Sequence, residues 1–165
     1  MKIKRVEYSN LKVIINIAKM TWPLAYANIL SKDQIDYMLN KFYSLEILQK
    51  NFKNQYYQYL CFHEVNEVGF IEIELNYKQS VAKIHKLYVL PAYQKHGYGK
   101  NLILMTIGLA KEHNQESIIL NVNRNNIALD FYRSIGFEII YEEDIDIGEN
   151  YFMNDYVMEY KIDQY

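Results

Sequence analysis

The feature that most restricts how this chain folds is a six-residue turn, Gln94-Lys95-His96-Gly97-Tyr98-Gly99, wedged between an apolar run and an amphipathic one. Val81–Val89 reads as a strand, and Leu90-Pro91-Ala92-Tyr93 as an irregular connection enforced by the proline. Gly97–His113 then carries Tyr98, Leu102, Met105 or Thr106, and Leu109 at steps of three and four, the spacing of a helix with one buried face. Two glycines remove Cβ atoms where the backbone must turn and where a ligand would approach it. The amides of such a turn converge with those of the first helical residues, and the helix start adds roughly half a unit of positive charge. Together they suit an anion such as a pyrophosphate, with Lys95, His96 and Lys100 as cationic neighbours on the rim.

The rest of the chain sets this turn inside a mixed pattern. Ile3–Tyr8 alternates like a strand, Ser9 or Asn10 can cap a helix to about Met20, and Pro23 ends or bends it. Ser31-Lys32-Asp33-Gln34 has the capping-box form, and Ser44 starts a third short helix with Leu45, Leu48 and Phe52 inward. Tyr56–Glu64, Val68–Leu75 and Val81–Val89 are successive strands joined by short turns, consistent with antiparallel neighbours. Ser117–Val122 is a strand, Asn126–Ile135 a helix closed by Gly136, and Phe137–Asp146 with Tyr151–Tyr160 a final strand pair. The expected class is therefore α+β: a mixed, mostly antiparallel sheet of about seven strands flanked by helices. No linker or low-complexity tract divides residues 1–165, so one domain is expected.

Three phosphate readings compete for the glycine turn, besides a plain tight turn before a helix. A P-loop requires Ser or Thr after Gly-Lys, but Gly99-Lys100 is followed by Asn101. A dinucleotide fingerprint requires a third glycine where Leu102 stands, and parallel βαβ units at the chain start. The third reading fits: Leu87-Tyr88-Val89-x-Pro91-x-x-Gln94-x-x-Gly97-x-Gly99 resembles motif A of the GNAT superfamily of acyl-CoA-dependent N-acetyltransferases. Leu120-x-Val122, Asn125 or Asn126, Ala128, Tyr132 and Gly136-Phe137 are similar to that family's motif B, in the expected order.

The resemblance implies a sheet splayed between strands 4 and 5, with acetyl-CoA as co-substrate and its pantetheine arm paired to the fourth strand. Carried over, Leu87, Tyr88 and Val89 meet the pantetheine, Gln94 to Lys100 surround the pyrophosphate, and Asn125 or Asn126 lies near the arm. Tyr132 falls where the family commonly places a tyrosine that protonates the departing thiolate; the alternative is a tyrosine that only packs on the coenzyme. The general base is open. Lys83 and Asn121 stand where relatives carry glutamates, and neither suits the role. Period-two alternation puts His85 on one face with Lys83, Leu87 and Val89, either as a base near neutral pH or as a hydrogen-bonded structural histidine. The acceptor, a small-molecule amine, is expected between the N-terminal helices and the last hairpin, with Trp22, Tyr26 and Tyr37 as an aromatic wall. Glu72, Glu74, Glu142, Glu143, Asp144 and Asp146 form two acidic clusters that either attract a cationic amine or are simply solvated. The helical layout and the Gln-Lys-His-Gly turn also look similar to PaiA-type spermidine/spermine acetyltransferases, which suggests a polyamine. A non-catalytic acyl-CoA-binding module on the same fold is the alternative.

The remaining expectations are exclusions. A formal net charge of −2 without a basic stripe argues against nucleic acid and anionic membrane as partners. Cys61, the single cysteine, reads as a core thiol and points to a reducing, cytoplasmic setting. No His/Cys/Asp group has ligand spacing, so no metal is expected. A homodimer through Tyr151-Phe152-Met153 follows from family habit and is not demanded by the sequence.

Overall fold

Seven strands, β1 (Lys2–Arg5), β2 (Tyr57–His63), β3 (Asn66–Lys78), β4 (Val81–Val89), β5 (Ser117–Asn123), β6 (Glu138–Gly148) and β7 (Tyr151–Lys161), form the frame of the computed structural model, which describes residues 1–54 and 56–163. They hydrogen-bond in the order β1-β2-β3-β4-β5-β7-β6, and every neighbour is antiparallel except the β4–β5 pair. A parallel pair needs a crossover connection, and here it is the glycine turn followed by helix α4 (Tyr98–Glu112). Three helices precede the main strands, α1 (Leu11–Ala25), α2 (Lys32–Tyr43) and α3 (Leu45–Lys53), and α5 (Ala128–Ile135) links β5 to β6.

Two hydrophobic cores cover the two faces of the sheet. Tyr98, Leu102, Ile103 and Ala110 of α4 pack with Ile71, Ile73, Ile84, Ile118 and Leu120 on one side. Leu11, Ile14, Ile17, Ala18 and Trp22 of α1 pack with Met38, Leu39, Leu48, Leu60 and Phe70 on the other. Cys61 is fully buried in the first core, where burial pushes its thiol up to about 11.

Local chemistry places most boundaries. The Ser31 hydroxyl accepts from the Gln34 amide, but the Gln34 side chain donates to the Phe152 carbonyl instead of closing the capping box. The Ser44 hydroxyl caps α3 at Ile47, whereas Asn10 occupies the N-cap of α1 without a side-chain bond. Pro23 does not end α1: the helix runs on to Ala25, with the proline and Lys19 both on the exposed face. The carbonyl that the proline leaves unpaired, four residues back at Lys19, lies on that wet face. Gly136 closes α5 at φ 111°, the left-handed cap expected of it.

The period-two reading of β4 fails at one place. Glu72 pairs with Lys86 while Ile73 pairs with Ile84, so His85 is an extra residue on β4, a β-bulge. The bulge inverts the alternation. Ala82 and Ile84 belong to the α4-side core, and so do Leu87 and Val89, while Tyr88 packs on the α1 side. His85 and Lys83 therefore do not share a face with Leu87 and Val89, contrary to simple alternation. Pairing of β4 with β5 stops at the same point: its last partners are Ile84 and Leu120, and residues 85–89 have no strand on that side.

Just beyond the bulge, Lys86 and Glu72 form a buried ion pair, with Gln58 and Asn51 also donating to the Glu72 carboxylate. Lys86 is 8% exposed and Glu72 fully buried. Replacing Glu72 with Leu strands the ammonium without its counter-charge, and a loss of about 3–5 kcal/mol is expected in denaturant unfolding. Adding Lys86→Met to that variant should recover most of the loss.

Candidate functional site

The unpaired edge of β4 opens a V between β4 and β5, and the glycine turn sits at its wide end. A groove of about 540 Å³ runs through it, lined by Leu87, Tyr88 and Val89 of β4, Gln94, Lys95, Gly97, Gly99 and Lys100 of the turn, and Asn126, Phe131 and Tyr132. Leu24 and Ile127, 68% and 93% exposed, flank it as apolar lips. Lys95 and Gly97 both take left-handed backbone, at φ 64° and 85°. This curls the chain so that successive N–H groups face one concavity, a geometry that receives anions. Among the described residues, none of the amides of residues 95–100 donates to a protein acceptor; the first amide that does is Asn101, to Gly97. The two glycines do different work. Gly97 supplies the positive φ, whereas a Cβ on Gly99 would lie 3.2 Å from the Phe131 ring, so Gly99 lets α4 close on α5.

Some expected contacts lie elsewhere. The Gln94 amide donates to the Val89 carbonyl at 3.0 Å, tying the turn to the end of β4. His96 is exposed and bonds back to the Gln94 carbonyl. Tyr98 is buried with its hydroxyl 2.7 Å from His63 Nδ1, so neither His96 nor Tyr98 lines the groove. Of the two asparagines, Asn126 faces the groove and its Oδ1 caps Ala128, while Asn125 does not line it.

A second chamber, of about 230 Å³, adjoins the groove and shares Tyr26, Ile84, His85, Lys86, Tyr88 and Asn121 with it. Its walls are Trp22 of α1 and the C-cap residue Tyr26, Met38, Phe42 and Tyr43 of α2, and Ile145, Phe152 and Met153 of the last hairpin. Tyr26 and Tyr88 join hydroxyls at 3.1 Å, and burial raises both phenol pKa values. Tyr37 is not part of this wall. Its hydroxyl donates to the Ile147 carbonyl at 2.5 Å and its ring packs on Tyr151, which pins α2 to the hairpin.

The acidic clusters do not line the chamber either, because their carboxylates are engaged internally. Glu72 holds Lys86, Glu74 holds His85, Glu142 and Asp144 hold Arg124, Glu143 accepts from Asn121, and Asp146 accepts from the Gly148 amide. Glu72, expected to bind substrate, is thus buried and fully engaged.

Tyr132 lines the groove, its ring against Phe131 and Phe137, and burial lifts its pKa well above that of a free phenol, with Tyr26 adding to the shift. The hydroxyl is therefore protonated throughout the neutral range. His85 reaches both cavities. Its ring stacks on Tyr56 at 5.1 Å, and Nε2 lies 2.7 Å from the Glu74 carboxylate. Burial, helped by Lys86 and Lys83, lowers its pKa in spite of Glu74, so at neutral pH the ring is uncharged. Nε2 then carries the proton given to the carboxylate, and Nδ1 is left as acceptor. Several chamber residues have no counterpart among the sequence-based candidates, and the acidic one among them is Asp155 of β7. It lies on the inward face with Met153 and Val157, a polar side chain at an apolar beat of the strand alternation.

Known proteins resemble this chain in sequence and fold. The profile of the acetyltransferase (GNAT) domain matches residues 26–151. A spermidine N(1)-acetyltransferase of Thermoplasma acidophilum is 28% identical over 166 residues, which cover 97% of this chain and 96% of that protein. The crystal structure of the PaiA N-acetyltransferase of Thermoplasma acidophilum in complex with coenzyme A superposes with a TM-score of 0.82 at 27% identity, over 97% of this chain and 98% of that one. A GCN5-related N-acetyltransferase of Rhodopseudomonas palustris matches in fold, with a TM-score of 0.82 at 16% identity over 97% and 94% of the two chains. Among the described residues no helix is long and apolar enough to cross a membrane.

The anion cradle is open to a direct test. Gly97→Val forces a branched residue into left-handed backbone at a cost of roughly 1–2 kcal/mol. Binding of inorganic pyrophosphate, measured by calorimetry, is expected to weaken by about tenfold.

Proposed function

The chain belongs to the GNAT acetyltransferase family and is an acetyl-CoA-dependent N-acetyltransferase; we propose that it acetylates a small primary amine, held in the aromatic chamber, by direct attack of the amine on the thioester. The observation that carries this reading is the junction of the two cavities. A groove that begins at six outward-facing amides and passes Tyr132 meets, at Tyr26 and Tyr88, a chamber of the size of a slender amine.

Acetyl-CoA, when bound, supplies an activated acetyl group and a thiolate leaving group. The amides of residues 95–100, with Lys95 and Lys100, hold its diphosphate. The free edge of β4 from residue 85 onward pairs with the amide-bearing pantetheine as a strand would, and Asn126 supports it from the α5 side. Tyr132 donates a proton from its phenol oxygen to the sulfur as charge develops there. Its elevated pKa keeps that proton in place until the developing anion draws it.

For the acceptor we propose a polyamine, with spermidine the first compound to test. Two things support this: the likeness to a spermidine N(1)-acetyltransferase along nearly the whole chain, and a wall of Trp22, Tyr26, Tyr43 and Tyr88 suited to methylenes and ammonium groups. The acidic clusters lend no support, since their charges are engaged elsewhere.

Two measurements test the reading. Thiol release from acetyl-CoA in a panel of primary amines should be fastest with spermidine or spermine; binding of acetyl-CoA without turnover on any amine would reduce the protein to a binding module. Tyr132→Phe should lower kcat by roughly 10²-fold and leave acetyl-CoA affinity within about a factor of two, because the lost hydroxyl acts only as the sulfur departs.

A further inference from the structure

Among the described residues Asp155 is the one carboxylate that lines the chamber. Its residue is 5% exposed, and among the described residues no salt bridge reaches it. It stands in the pleat of the sheet between Asn123 of β5 and Glu143 of β6. Asn121, a residue of the neck between chamber and groove, is its hydrogen-bonding neighbour, and Tyr26, also of the neck, feels its charge. Around it the charged groups divide. Lys83 of β4 favours its charge but rests on the Tyr77 ring, 4.5 Å from Nζ to the centroid. Arg124 favours it too, yet is engaged by Glu142 and Asp144. Glu143 of β6 opposes it and is held by Asn121. Besides its tyrosines the neck holds two titratable groups of β4: His85, bonded to Glu74, and Lys86, paired with Glu72.

A buried carboxylate that no salt bridge reaches, lining the chamber beside the neck through which it opens on the groove, is stabilised by a cation that balances it. We propose that Asp155 receives the reacting ammonium of the acceptor at this neck and takes its proton. The inference rests on the chamber being the acceptor site. Burial, with Glu143 behind it, pushes the carboxyl up to about 6, so it is ionised at neutral pH and a stronger base than an exposed aspartate.

The proton count closes. One proton passes from the ammonium to the Asp155 carboxylate and on to solvent. The neutral amine forms the C–N bond to the acetyl carbon, and the C–S bond breaks. Tyr132 protonates the sulfur, and the second proton, shed by nitrogen as the amide forms, replaces the one Tyr132 gave. The net release is one proton per turnover.

The test uses the full chain with acetyl-CoA and the best amine of the panel. In the wild type kcat/KM should rise with pH through a limb centred near 6, because the base acts ionised. Asp155→Asn should lower kcat/KM at pH 8 by about 10²- to 10⁴-fold and abolish the limb, with acetyl-CoA affinity unchanged. Asp155→Glu should restore part of the activity and the limb, and His85→Gln should keep the limb whatever its effect on magnitude. Thermal stability separates this role from a structural one. A raised folded pKa means that the ionised form is disfavoured by folding, so stability falls as pH rises from about 4 to about 6. Removing the charge should then leave Tm at pH 8 at or above the wild-type value. Asp155→Ser, a second neutral variant, should lose activity and the limb in the same way and likewise keep its Tm at pH 8.

An Asp155→Asn enzyme that keeps kcat/KM within threefold, or loses Tm together with activity, overturns the proposal. So does a limb that survives Asp155→Asn and vanishes in His85→Gln. A wild type with no turnover on any amine overturns the acceptor-site reading as well, whereas an active wild type with an active Asp155→Asn variant overturns this inference alone.

Discussion

The structure depends on one extra residue in a strand. His85 bulges from β4, and the hydrogen-bonded partnership with β5 ends at the residue before it. Without that interruption a parallel pair would zip to its end and leave no backbone edge for an extended ligand. With it, the amides and carbonyls beyond residue 84 stay open on one side, while β3 still holds them on the other. The cost of the break is met by dense packing on both faces, where Ile71, Ile73, Leu102 and Leu120 on one side and Phe70, Ile14 and Leu48 on the other are all but inaccessible to water.

Charge is distributed with similar economy. Most carboxylates near the sheet opening neutralise a neighbouring lysine or arginine, or accept from an imidazole or amide N–H, so they stiffen the frame. What remains unengaged lies on either side of the neck: backbone amides at the glycine turn and, among the described residues, a buried chamber carboxylate without a salt bridge. On the proposed reading, positive potential meets the diphosphate and negative potential meets the amine. Such opposed ends orient two reactants in a single complex, and the phenol of Tyr132 lies along the groove between them.

Much of this was legible in the residues. Helix starts at Ser31 and Ser44, the stop at Gly136 and the glycine turn were written in residues whose local chemistry admits few alternatives. The GNAT resemblance rested on those landmarks and led to the groove and Tyr132. What escaped was non-local. Pro23 suggests an end or a bend, and its solvent-facing position lets α1 continue to Ala25. Tyr37, Glu72 and Tyr98 had the right composition for a site, and their partners, Ile147, Lys86 and His63, are distant in sequence. A bulge leaves no composition signature, so alternation through His85 gave the wrong face. Asp155 did leave a trace, as an acid at an inward beat of β7, but its burial depends on β5, β6 and α1 arriving together.

The bulge also limits which insertions and deletions this strand tolerates. Because the bulge already absorbs one supernumerary residue, deleting a single position between 84 and 86 would restore regular alternation and leave Leu87 and Val89 on the α4 side and Tyr88 on the α1 side. The cores would survive, and the interruption at which pairing with β5 stops would be lost. A single deletion between 87 and 89 has no bulge to absorb it and would exchange the faces of the residues that follow, so the two halves of this strand tolerate a change of length with opposite consequences.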